Sequence, residues 1–153
     1  MSIHNKPTDE LEGEIGKLAP SEIEGYLKNN KNYMISDKKA FYYYFKDVIE
    51  SKNIMLKDVY CRAGVSESYG SKIVSMEKHT KDRELILRLC MAGHFNWEET
   101  NRALKLYGMS ELYAKDKRDA VFIVAINNRI YDMYDVDELL ISHGLEKLSV
   151  DEK

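Results

Sequence analysis

Long apolar runs are absent from this 153-residue chain. Nothing in it approaches the ~18 residues that a membrane span needs. The amino terminus also lacks the basic-then-apolar layout of a signal peptide. A membrane protein and a secreted one are thereby excluded, and cytoplasmic residence is expected. Cysteine is scarce: only Cys61 and Cys90 occur, both at apolar positions of predicted helices. A disulfide scaffold is excluded, and two buried, reduced thiols are expected. The four histidines, His4, His79, His94 and His143, are scattered and form no pair at metal-ligand spacing, so no metal site is expected. Glycine-rich phosphate loops, nucleophile elbows and catalytic carboxylate pairs are missing as well. The chain is expected to be neither an enzyme nor a carrier of a cofactor.

What is present is charge and tyrosine. Charged residues make up 32% of the chain and eleven tyrosines are found, the composition of a packed protein rather than a disordered one. The net charge of −3 argues against an indiscriminate nucleic-acid binder, but it is unevenly spread. Residues 37–95 hold eleven Lys and Arg against eight acids, while residues 1–36 and 96–153 carry an acidic excess. A surface meant for phosphates would have to lie in the central segment.

Helical periodicity runs along nearly the whole chain. Thr8 to Ala19 reads as a short amphipathic helix through Leu11, Ile15 and Leu18, and Pro20 ends or restarts it. Ser21 with Glu24 makes a capping box for a second short helix bearing Ile23, Tyr26 and Leu27, before a loop at Asn29 to Asn32. Asp37 to Lys52 forms a helix whose inward stripe is Phe41, Tyr44, Phe45, Val48 and Ile49. Lys81 to Gly93 forms another with Leu85, Ile86, Leu89 and Cys90 inward, and Asn96 with Glu99 caps the next, which ends at Gly108. Trp97 beside Phe95 reads as packing at a helix start, and Arg118-Asp119 as a source of structural salt links.

The organising stretch is Met55 to His79. Leu56, Val59, Tyr60 and Ala63 recur at helical spacing, Gly64 suits a left-handed turn, and Val65 is placed to plug the corner. Ser66 caps a second helix on which Tyr69, Ile73 and Met76 are expected to face inward. Ser66, Glu67, Ser68, Ser71, Lys72 and Ser75 are left on the outer face, with Lys78, His79, Lys81 and Arg83 following at the helix exit. Two helices about a glycine turn, the second with a polar outer face, are the ingredients of a helix-turn-helix that can enter a DNA major groove.

With these residues in place, the stretch resembles the lambda-repressor-like, XRE-type helix-turn-helix domains of bacterial transcriptional regulators. It is similar in particular to a clostridial-type group from Firmicutes in which a Ser-Tyr-Gly tripeptide opens the recognition helix, here Ser68-Tyr69-Gly70. The likeness continues through Lys81-Asp82-Arg83, Glu98-Glu99-Thr100 and Leu112 to Ala120, covering about Lys38 to Leu148. The chain departs from the family at Met76, where glycine is usual, and at Glu67, where glutamine or a basic residue is commoner.

The remainder contains an internal repeat. Laying Leu85 to Tyr113 over Val121 to Ser149 at an offset of 36 residues pairs Leu87 with Ile123, Trp97 with Met133, Leu104 with Leu140, Gly108 with Gly144, Met109 with Leu145 and Leu112 with Leu148. Each copy reads as helix, short loop, capped helix, glycine stop, apolar residue.

The expected fold is all-α: an N-terminal helical arm over residues 1–36, a lambda-repressor-like five-helix domain over 37–108, and a C-terminal helical hairpin and tail over 109–153. The resemblance implies a sequence-specific transcriptional regulator that binds double-stranded DNA as a homodimer. Its DNA-binding residues would be Ser66, Glu67, Ser68, Ser71, Lys72, Ser75, Lys78, His79 and Lys81. The alternative is a non-catalytic adaptor that uses the same scaffold to bind a signalling protein.

Overall fold

Apolar side chains at three- and four-residue steps become buried helix faces throughout the structure, a computed structural model that describes residues 12, 13, 15–30 and 39–150. Every regular element among the described residues is helical, and none of the described helices is long and apolar enough to cross a membrane. The chain divides into two compact units, one reaching Ala40 and the other starting at Phe41.

In the first unit a 3-10 turn, Pro20–Glu22, runs into α1, Ile23–Asn29. Of the helix expected over Thr8 to Ala19, residues 12, 13 and 15 are helical and 16–19 are not, while 8–11 and 14 lie outside the described residues. The expected Ser21–Glu24 box does not form, because Pro20, with its fixed φ and no N–H to satisfy, starts the turn ahead of Ser21. Glu22 Oε1 instead accepts from the Ala19 amide at 3.0 Å.

The second unit is built from three helical hairpins with one short helix inserted. The helices are α2 (Ala40–Ser51), α3 (Leu56–Ala63), the inserted α4 (Glu67–Val74), α5 (Arg83–Ala92), α6 (Trp97–Leu106), α7 (Lys117–Asn127) and α8 (Met133–Ser142). In the hairpins α2–α3, α5–α6 and α7–α8, the first helix always stops in the same way. The amide of Ile54 donates to Ile49 O, that of Phe95 to Cys90 O and that of Ile130 to Ala125 O. The residue just before each donor, Asn53, His94 or Arg129, takes a left-handed φ of 57–58°. The second helix stops at Gly64, Gly108 or Gly144, with φ of 76°, 83° and 75°. There Val65, Met109 and Leu145 donate back to Tyr60 O, Leu104 O and Leu140 O.

The repeat read from the sequence therefore has a physical basis, and its register can be refined. Gly108 and Gly144 are 36 residues apart, but Phe95 and Ile130 are 35 apart, so Leu87 corresponds to Phe122 rather than to Ile123. Asn101 Oδ1 accepts from the Leu112 amide at 2.9 Å, and Asp137 Oδ1 accepts from the Leu148 amide at 2.8 Å, the same bond in both copies. The first hairpin is a third copy, displaced because α4 lies between it and the second.

A single apolar cluster runs from Phe41 to Leu148. Its middle is α5, in which every residue from Leu85 to Ala92 is buried. One of these is Arg88, whose Nε donates to Ala63 O at 3.1 Å and whose Nη1 donates to Leu148 O at 3.5 Å. Burial pushes this guanidinium below its ordinary pKa, and the charges of Asp82 and Glu84 pull it back. Arg83 makes a bidentate pair with Asp119, both bonds 2.9 Å, and Arg118 makes another with Glu84 at 2.5 and 2.9 Å. These are the structural salt links expected of Arg118-Asp119, and they join the second hairpin to the third.

Candidate functional site

The α3–α4 pair owes its geometry to two glycines. Gly64 adopts the left-handed conformation that ends α3, its amide bonding to Cys61 O and Tyr60 O. Gly70 lets α4 approach the ring of Tyr60 directly. Ser66 caps α4, its Oγ accepting from the Tyr69 amide at 3.1 Å. Val65, expected to plug the corner, is half-buried and packs against the core.

Gly70, Ile73 and Val74 form the buried side of α4. Tyr69 does not join them: it is 40% exposed, a correction to its expected inward placement. The inward arc is centred between Gly70 and Ile73, which turns Tyr69 toward its edge. Met76 lies beyond the end of the helix, half-buried, with φ of 68°. It thus takes the left-handed backbone for which glycine is usual at this place in the resembled family, and α4 ends at Val74 rather than running on. The amide of Lys78 then donates to Lys72 O at 3.1 Å and closes the turn.

Ser66, Glu67, Ser68, Ser71 and Lys72 are exposed, and Ser75 is half-buried. Ser68, Ser71, Lys72 and Ser75 fall at steps of three, four and seven along α4 and so share one face. Two of these serines are tied to their own helix, Ser71 Oγ donating to Ser68 O at 3.2 Å and Ser75 Oγ to Lys72 O at 3.4 Å. Lys78, His79 and Lys81 are exposed beyond the helix. Lys78 Nζ stands 6.0 Å from the Tyr69 ring centre, and His79 stacks on Tyr107 at 4.7 Å. The Tyr107 hydroxyl accepts from the Thr80 amide at 3.2 Å, which fixes this exit segment on α6. Glu67 in the first turn and Glu77 after the last are exposed as well.

Cys90 is fully buried, and burial pushes its thiol well above its ordinary pKa. Cys61, expected to be buried as well, is exposed because it falls off the Val59–Tyr60–Ala63 stripe of α3. Phe95 is buried, whereas Trp97 is 37% exposed and packs less than expected. Sequence reasoning missed Tyr69 as a surface group. The signal was its neighbour: a glycine within a helix marks close approach by another element, here the Tyr60 ring. No protein-family model, no curated protein and no solved structure matches the chain.

Proposed function

We propose that this protein is a sequence-specific DNA-binding transcriptional regulator of the XRE-like helix-turn-helix type. In this reading α2 to α6 act as the repressor-like domain and α4 as the recognition helix in the major groove. One observation carries the reading, the two-sidedness of α4. One side is anchored in the core through Gly70, Ile73 and Val74, while the other presents Ser68, Ser71 and Lys72 to solvent, with Ser75 half-buried at its end. Short hydroxyls allow close approach to base edges, and a lysine at mid-helix suits a guanine or a phosphate. Lys78, His79 and Lys81 follow where backbone phosphates would pass. A homodimer belongs to the proposal, because one domain of this kind covers little DNA and operators commonly mirror two-fold symmetry.

Selection of bound fragments from a random double-stranded DNA pool tests the proposal. An inverted-repeat consensus is expected. Absence of a consensus, together with no salt-dependent binding at about 50–200 mM salt, overturns it. Glu67 favours the second reading, a protein-binding adaptor, because an exposed carboxylate at the start of α4 repels phosphate.

A further inference from the structure

The backbone that follows α8 reaches the corner between α3 and α4. A β-carbon added at Gly64, the glycine of that corner, would meet Val150 Cγ2 at 3.5 Å. Ala63 O, the last carbonyl of α3, has no donor within its own helix. It accepts instead from Arg88 Nε at 3.1 Å. Arg88 Nη1 donates to Leu148 O at 3.5 Å, so one buried guanidinium on α5 joins the corner to the tail of the third hairpin.

The repeat supplies an internal comparison, because the tail after each glycine stop is clamped in the same way. In the second hairpin Asn101 Oδ1 accepts from the Leu112 amide, and Arg83 donates to Ser110 O and Glu111 O. In the third, Asp137 accepts from the Leu148 and Ser149 amides and from the Ser149 hydroxyl. Arg118 there donates to Glu146 O and Lys147 O. These clamps hold each tail on its own hairpin.

The Arg88 bridge has no such twin. The matching position in α7 is Ile123, 35 residues on, which has no polar group to offer. Holding a tail therefore does not require the bridge, and what it adds is the reach to Ala63. It does so with a buried cation that pairs with no carboxylate among the described residues. For stability alone, a well-packed apolar side chain commonly equals or betters a buried charge.

We propose that Arg88, Leu148 and Val150 are positioning residues for α4. The tail of the third hairpin, held at its near end by Asp137, fixes the α3–α4 corner through Arg88 and so sets the placement of the helix that follows. The DNA-reading unit then extends past the five helices of residues 37–108 as far as Val150, and whatever shifts the tail shifts α4. The consequence for DNA rests on the regulator reading of α4, whereas the link between tail and corner does not.

The test breaks the link at a distance from α4, in the full chain. Asp137→Ala frees the Leu148 and Ser149 amides, and Asp137→Asn keeps an acceptor for them. Asn101→Ala frees the Leu112 amide by the same chemistry, in the hairpin whose tail has no bridge. Residue-resolved hydrogen exchange, without DNA, compares the amides of Val65 and Gly70 to Val74 with those of Phe45 to Ile49 in α2. Asp137→Ala is expected to speed exchange in the first set at least about tenfold relative to the second, the scale of one lost charge-assisted hydrogen bond. Arg88→Met should do the same, while Asp137→Asn and Asn101→Ala leave the ratio within about threefold of the unaltered protein. A general loss of stability would instead move both sets together.

On double-stranded DNA carrying the selected consensus, Asp137→Ala should raise Kd at least about tenfold with the salt slope unchanged, because no phosphate contact is lost. Charge alone predicts the opposite sign, since removing a carboxylate favours phosphate binding. An unchanged exchange ratio under Asp137→Ala or Arg88→Met overturns the positioning role, as does an equal rise under Asn101→Ala. A Kd that stays constant while exchange rises overturns its bearing on DNA. Failure of the regulator reading shows separately, as absence of consensus binding by the unaltered protein, and the exchange ratio then decides the link by itself.

Discussion

Gly70 of α4 lies so close to Tyr60 of α3 that a β-carbon at position 70 would stand 2.6 Å from Cδ1 and 2.9 Å from Cγ of the ring. The clash is at the root of a ring only 4% exposed, so a rotation of the tyrosine does not relieve it. Glycine inside a helix costs about 1 kcal/mol relative to alanine. Close approach of α3 and α4 is what offsets that cost.

Gly70→Ala is therefore expected to destabilise the protein by about 1–3 kcal/mol despite its better helix propensity, since overpacking outweighs propensity in a buried contact. Urea unfolding measures it. A gain in stability would show that the two helices are free to separate.

Asp119 is predicted to control the acid limit of stability. Burial raises its pKa, but hydrogen bonds from Arg83 and the Tyr113 amide, with the charges of Arg83 and Arg118, outweigh burial and leave it lowered. A lowered carboxyl pKa contributes stability that is present above the unfolded value near about 3.9 and is lost as pH falls through the folded value. Asp119→Asn should flatten the loss of stability below about pH 4, as followed by circular dichroism melts. Asp119→Ala should cost about 3 kcal/mol at neutral pH, because the Tyr113 amide loses its acceptor and Arg83 loses its countercharge, keeping only the Ser110 and Glu111 carbonyls.

Arg129 offers a change in the other direction. It is exposed and holds a left-handed φ of 57° at the end of α7, a conformation costing an L-residue about 1–2 kcal/mol. Arg129→Gly removes that strain and adds about 0.5–1 kcal/mol of chain entropy cost. A net gain of about 0.5 kcal/mol is expected in urea melts, and a loss would mean that the arginine side chain holds the turn.

Lys72→Ala addresses the proposed regulator. The side chain is exposed, so the fold should be unaffected. If Lys72 reads a base, specific binding weakens by about 1–3 kcal/mol and the preference at one operator position flattens. If it meets a phosphate, all sequences weaken alike and the salt slope falls by about one unit per site. Fluorescence anisotropy across a salt series separates the two, and a silent substitution counts against α4 as the reading element.

Helix positions were legible in the sequence wherever a side chain announced them. Phe41, Phe45, Val48 and Ile49 gave the buried face of α2, and Asn96 with Glu99 gave the start of α6. Gly64, Gly108 and Gly144 all take the left-handed turn that their place after an apolar stripe implies. The misreadings occur where packing depends on a missing side chain or on backbone alone. Gly70 contributes no hydropathy, so the buried arc of α4 was centred wrongly and Tyr69 was turned inward. The first hairpin escaped detection because Asn53, His94 and Arg129 share a backbone conformation but no chemistry, and because α4 breaks the spacing.

Arg88 bears on how the chain acquires its structure during synthesis. Its guanidinium is held by carbonyls on two sides, Ala63 O from 25 residues earlier and Leu148 O from 60 residues later. As a nascent chain leaves the ribosome, α2 to α6 can collapse around α5 well before Leu148 is made. Until then one edge of a buried cation faces a gap that water must fill, at a cost of about 1–3 kcal/mol if it stays dry. The second and third hairpins are thus joined in time as well as in space, with the earlier helices reaching their final packing only when the last strap of backbone arrives.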